Sequence, residues 1–147
     1  MGLDMYLNAK VYLSEYNPEA KEISDKIAAL MHTSLRPNEV SFQVAYWRKA
    51  NAIHKWFVDT VQDGNDDCKE YYVDNQQLQA LVDTCKAVLN DNSLAESLLP
   101  PQQGFFFGNT EIDEYYLDDL KTTVERLEII LKDYSDSKWD FYYQSSW

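Results

Sequence analysis

The residues with the most chemical potential lie between Trp47 and Gln62, in the run WRKANAIHKWFVDTVQ. Steps of 100° along a helix put Trp47, Ala50, Ile53, Phe57, Val58 and Val61 in one apolar arc. His54 falls inside that arc, and Asn51 sits at its edge beside Lys55 and Arg48. An imidazole there supports two readings. One is a buried histidine with a single hydrogen-bond partner and no chemistry. The other is a general base or ligand-binding ring with Asn51 and Arg48 alongside. Trp56 lies opposite the centre of the arc, where an indole packs under a further layer or anchors a partner.

Two acidic groupings invite a metal or acid–base reading, and both have simpler explanations. Asp63-Gly64-Asn65-Asp66-Asp67 lacks the alternating ligands and the twelfth-position Glu of a calcium loop, and its composition is that of a polar turn. An enzyme with an unfamiliar site would draw on His54, Asp66 and Asp67. Glu111, Asp113, Glu114, Asp118 and Asp119 crowd the start of a helix, where carboxylates complement the dipole. Glu114, Asp118 and Asp119 would also suit a surface facing a basic partner. Cys68 and Cys85 lack metal-site spacing. Phosphate loops, dinucleotide fingerprints, nucleophile elbows, HExxH and CxxC are all missing from the sequence, so no cofactor or metal is expected.

The elements that must position these residues follow from periodicity. Residues 3–13 alternate, with Leu3, Met5, Leu7, Ala9, Val11 and Leu13 on one side. Asn17-Pro18 opens a helix whose stripe is Ala20, Ile23, Ile27, Leu30 and Met31. Val40, Phe42, Val44 and Tyr46 alternate with Glu39, Ser41, Gln43 and Ala45 in a second strand over 39–46. The helix over 47–62 ends near Gly64. Lys69–Val73 reads as a short strand. Asp74 or Asn75 then caps a helix with Leu78, Leu81, Val82, Cys85, Val88 and Leu89 inward. Thr110 with Asp113 resembles a capping box before a helix carrying Leu117, Leu120, Val124, Leu127, Leu131 and Tyr134. The last strand, 139–146, points Trp139, Phe141, Tyr143 and Ser145 one way, with Trp147 just beyond it on the same side. The expected fold is α+β: a small antiparallel sheet of three or more strands, packed on one side by about four helices, in a single domain over 1–147.

If the strands are neighbours, their polar sides pool Asp4, Tyr6, Asn8 and Tyr12 with Ser41 and Gln43, and with Asp140, Tyr142 and Gln144. Such a face is either ordinary solvated sheet or a binding surface. Tyrosine and amide groups combine stacking area with hydrogen-bonding tips.

Composition narrows the function classes. The 147 residues carry a net charge of −12, with 11 Tyr, 6 Phe and 4 Trp. Residues 1–60 hold seven basic and seven acidic side chains, and residues 61–147 hold six and eighteen, so the excess sits in the second part. Direct nucleic-acid binding through phosphates is not expected; an acidic flank instead steers a protein to a basic partner. The first residues show no basic and apolar leader pattern, and no apolar run reaches about 20 residues. A cytoplasmic protein with free thiols and no membrane contact is the simplest expectation.

The blocks MGLDMYL, YWRKANAIHKWFV, DDCKEYYV, LLP, GFFFG and FYYQSSW together resemble a family of small bacteriophage- and prophage-encoded proteins. The resemblance spans nearly the whole chain, least so from Glu15 to Asn38. It implies phage origin and action inside a bacterial host cell, and brings no catalytic role. The leading expectation is an accessory protein acting by binding, such as an acidic inhibitor of a host or anti-phage defence protein. The alternatives are a small-molecule or nucleotide binder using the Tyr/Asn/Gln surface or the neighbourhood of Arg48, Asn51 and His54, and a small enzyme near His54.

Overall fold

A computed structural model describes residues 2–147. Its four strands are β1 (Asp4–Tyr12), β2 (Glu39–Arg48), β3 (Tyr71–Val73) and β4 (Trp139–Ser146). They form one antiparallel sheet in the order β2-β1-β4-β3. The helices are α1 (Pro18–Leu30), α2 (Asn51–Thr60), α3 (Asn75–Asn90), the single turn α4 (Ala95–Leu98) and α5 (Glu114–Asp133). The α+β class and the one-sided sheet are thus as the periodicity implies. Among the described residues, no helix is long and apolar enough to cross a membrane.

Alternation along β1 decides which face becomes the core. Leu3, Met5, Leu7 and Ala9 are fully buried, while Asp4, Tyr6, Asn8 and Lys10 on the other side keep solvent contact. Phe141 and Tyr143 of β4, Val73 of β3 and Ala45 and Trp47 of β2 extend the apolar face. Buried stripes of α2, α3 and α5 cover it, including Ile53 and Phe57, Leu78, Leu81 and Cys85, and Leu120 and Leu127. Burial drives the Cys85 thiol up to about 12, which leaves it unreactive. Trp47 donates its indole N–H to Thr123 Oγ1 at 2.8 Å, so the one polar atom that Trp47 carries into the core is satisfied.

Several local expectations are corrected. Trp47 and Arg48 belong to β2 rather than to a helix from 47; α2 begins only at Asn51, after Lys49 turns the chain with a φ of 56°. Within β2 the register against β1 slips between Leu7 and Asn8, leaving Val44 as the extra residue of a bulge. Val40 and Phe42 lie on the core side with Val11 and Ala9, but beyond the bulge Ala45 and Trp47 take that side and Tyr46 turns to the open face beside Tyr6. A strict period of two places Tyr46 on the wrong side for this reason. The helix after residue 110 is capped by Asp113, which accepts from the Tyr116 N–H at 3.0 Å, not by Thr110. Its most deeply buried residues are Tyr116, Leu120, Thr123, Leu127 and Ile130, while Leu117, Val124, Leu131 and Tyr134 are half-buried flanks.

Helix α1 begins as its signals require, with Asn17 Oδ1 accepting from the Glu19 and Ala20 N–H groups at 3.0 and 3.2 Å. Its packing is looser than the stripe suggests. Only Ser24 and Ala28 are buried, and Leu30 and Met31 remain 77% and 71% exposed.

The core assignment carries a direct test. Leu127 is fully buried between α5 and its neighbours, so Leu127→Ala should lower unfolding stability by about 2–5 kcal/mol through lost transfer energy and a residual cavity. Urea unfolding measures this.

Candidate functional site

The strand order of the sheet puts β1 between β2 and β4, and this single fact assembles the polar strand sides into one surface. Tyr6 pairs with Gln144 on one flank and Tyr46 on the other; Asn8 pairs with Tyr142 and Gln43; Lys10 pairs with Asp140 and Ser41. Because opposed residues of an antiparallel pair share a face, Tyr6, Asn8, Gln43, Tyr142 and Gln144 all come together as expected from their alternation. Tyr46 and Tyr72 join them, 47% and 55% exposed. The rings sit in pairs, Tyr6 with Tyr46 at 5.5 Å between centroids and Tyr72 with Tyr142 at 5.8 Å.

Both cations of this face are paired within it. Lys10 Nζ bonds Glu70 at 2.7 Å and lies 4.7 Å from the centroid of the Tyr142 ring. Arg48 Nη1 bonds Asp4 at 2.9 Å, and the Tyr46 hydroxyl donates to the same Asp4 oxygen. The Tyr46 hydrogen bond, aided by the Arg48 guanidinium, holds the Asp4 carboxyl below the usual range, and Asp4 in turn raises the Tyr46 phenol. What the surface offers is therefore phenol hydroxyls, amides and ring faces, together with the exposed carboxylates of Glu39 and Asp140 at its margins.

Arg48, Asn51 and His54 do not all converge: Arg48 and Asn51 border a common cleft beside Asp119, while His54 lies apart from it. Arg48 joins the open face. Asn51 is buried and staples the 102–109 loop: its Nδ2 donates to the carbonyls of Phe107 and Asn109 at 3.0 and 2.9 Å, and its Oδ1 accepts from the Gln102 N–H at 3.0 Å. Gly104 serves the same loop, since a Cβ there would lie 2.6 Å from the Phe107 ring. The loop tip leaves Phe105 94% exposed.

His54 is fully buried behind the sheet. Its Nδ1 lies 2.6 Å from the Tyr143 hydroxyl and its Nε2 lies 3.0 Å from Asp66 Oδ2, while the Trp147 indole donates to the other Asp66 oxygen at 3.0 Å. Burial keeps the Tyr143 phenol well above its ordinary value, so it stays protonated. Asp66, an acceptor when ionised, calls for a proton on Nε2, and the phenol, able to donate or accept, can match Nδ1 in either state. Phe107 closes the ring edge-on at 5.3 Å, and Phe57 stacks on Tyr143 at 3.9 Å. Every polar atom in this chain of contacts is matched, and together the contacts brace α2, β4 and the 63–68 turn against one another. Asp67 turns away and pairs with Lys69 at 3.2 Å.

The remaining candidates are dispersed. Trp56 is half-buried, edge-on to Phe57 at 5.3 Å. Glu114 and Asp118 are exposed at the start of α5, whereas Asp119 turns into a cleft of about 260 Å³ between the starts of α2 and α5. Among the described residues, no group of three or more His, Cys, Asp or Glu is placed to hold a metal. Sequence reasoning grouped Asp66 with His54 and set Tyr143 on the apolar side of the last strand, but the Tyr143 contact with His54, the Trp147 bond to Asp66 and the exposed Phe105 escape it. No family model matches the chain, and no curated protein or solved structure proves similar to it.

Two outcomes test this partition. His54→Ala orphans the Tyr143 hydroxyl and Asp66 and opens a cavity, and should cost about 2–4 kcal/mol in urea unfolding. Asp119 is raised from 3.8 to about 6, first by burial and then by the Asp118 and Asp113 charges. Its charged form is therefore disfavoured in the fold, and stability from this group is present at low pH and lost as pH rises from about 4 through about 6. Asp119→Asn should be more stable than the parent by about 1 kcal/mol above pH 7, after allowing for screening at the cleft mouth, and should match it near pH 4. Thermal melts across that pH range read the difference.

Proposed function

We propose that this chain is a phage or prophage accessory protein that acts by binding a host or defence protein through the open face of its sheet. The observation that carries this reading is the composition of that face: seven tyrosine and amide side chains from four strands (Tyr6, Asn8, Gln43, Tyr46, Tyr72, Tyr142 and Gln144) lie side by side on a rigid sheet, with its ion pairs satisfied internally. Such a surface loses little conformational entropy on docking, because each ring carries only two rotatable bonds and the backbone beneath it is fixed. The residues that looked most catalytic, His54 and Asn51, are by contrast consumed by the fold. The net charge of −12 adds long-range attraction for a basic partner, with Glu114 and Asp118 outside the contact surface acting on encounter.

Capture from bacterial lysate followed by titration of the captured protein tests this. Tyr6→Ser combined with Tyr142→Ser should weaken binding at least thirtyfold, the scale of a lost hot spot of about 2 kcal/mol, while thermal melts stay close to the parent. Asp118→Lys should slow association and flatten its salt dependence without comparable loss of residence time. A partner held equally well by the double tyrosine variant would overturn the assignment of this face.

A further inference from the structure

The two edges of the sheet are unlike. β3 is three residues long, the short kind of edge that does not invite pairing. β2 is ten residues long, and none of its residues from 39 to 47 makes a main-chain hydrogen bond outside the sheet ladder among the described residues. Its middle, Val40–Trp47, reads VSFQVAYW and contains no charge or proline. The usual protection of a long edge strand by lysine or proline is missing here.

We infer that β2 is an interface between two copies of this chain, which pair antiparallel edge to edge about a two-fold axis at Gln43 and Val44 and continue the sheet to eight strands. The bulge carries the argument for a second copy over any other strand. In a regular strand Glu39 and Arg48, nine positions apart, would lie on opposite faces. Because Val44 is an extra residue, Glu39 shares the open face with Tyr12, and Arg48 shares it with Asp4. A two-fold axis at the bulge then sets Glu39 against Arg48 of the mate at both ends, like face to like face and opposite charge to opposite charge.

Size follows the same register. Phe42, 48% exposed, falls opposite the small Ala45 of the mate on the core side, and Tyr46, 47% exposed, falls opposite Ser41 on the open side. Each large side chain left half-bare at the edge thus meets a small one. The strand also belongs to the part of the sequence whose charges sum to zero, so pairing there opposes the least like charge. The pairing is independent of what the tyrosine face binds, and it would present two copies of that face side by side.

Sedimentation velocity of the full chain from roughly 1 to 500 μM, which brackets the micromolar affinity of a small interface, should show monomer passing to dimer. Ser41→Lys with Gln43→Lys, both at exposed positions, should weaken dimerisation at least tenfold with an unchanged circular dichroism spectrum. The register is tested separately by Ser41→Cys with Tyr46→Cys in a Cys68→Ser background. The two positions lie about 17 Å apart within one strand and cannot bridge there, but in the dimer each opposes the other's copy at disulfide distance. Mild oxidation should give a covalent dimer, and Glu39→Cys with Tyr46→Cys, out of register, should not. A monomer throughout the concentration range, a dimer indifferent to the lysines, or a dimer in which the Ser41→Cys and Tyr46→Cys thiols stay unlinked would each overturn the inference.

Discussion

The structure depends on β1 being hydrogen-bonded along both flanks at once. With β2 on one side and β4 on the other, its side chains have only two directions left, and their alternation makes those directions unlike. One must be dry, because Leu3, Met5, Leu7 and Ala9 leave no room for water. The helices supply the second wall of that dry layer, and the hydrophobic gain there, at roughly 25 cal/mol per Å² removed from water, is what holds them in place. The opposite direction is left to hydroxyls and amides. Core and candidate surface are therefore two consequences of one pairing pattern.

Helix α2 shows how a chain uses polar side chains to fix the relation between distant segments. Asn51 reaches a loop more than fifty residues on, and His54 reaches Tyr143 across 89 residues. Hydrophobic contact alone is non-directional and tolerates sliding. Buried hydrogen bonds do not, since any slip leaves a donor or acceptor orphaned at a cost of about 1–3 kcal/mol. Histidine, a residue that elsewhere performs acid–base chemistry, here joins Asn51 in enforcing register between elements.

Local signals made much of this readable. Asn17-Pro18, Asp74 and the alternation of 3–13 and 139–146 state their roles within a few residues, and the structure agrees with each. Because strand polarity is local too, Tyr6, Asn8, Gln43, Tyr142 and Gln144 were recognisable as one face once neighbours were assumed. The illegible parts were those decided at long range. Trp47 fits a helical arc as well as it fits a strand, and only the partner Met5 and the acceptor Thr123 choose between them. The Val44 bulge inverts everything beyond it without any mark in the local pattern. His54 was visible as buried, but its role depended on Asp66 and Tyr143, whose approach is a property of the whole fold.

The pairing of β1 with β4 also bears on how the protein comes into being. The two strands lie about 130 residues apart in sequence, so closing them costs chain entropy that local contacts cannot repay in advance. During synthesis β1 and β2 emerge early, joined only through the α1 segment, with one flank of β1 unpaired and its apolar side uncovered. The sheet stays incomplete until β4 leaves the ribosome. Through most of translation, then, the nascent chain offers a sticky strand edge to whatever lies nearby, and rapid production in a crowded cell would place a premium on chaperone shielding of its first fifty residues.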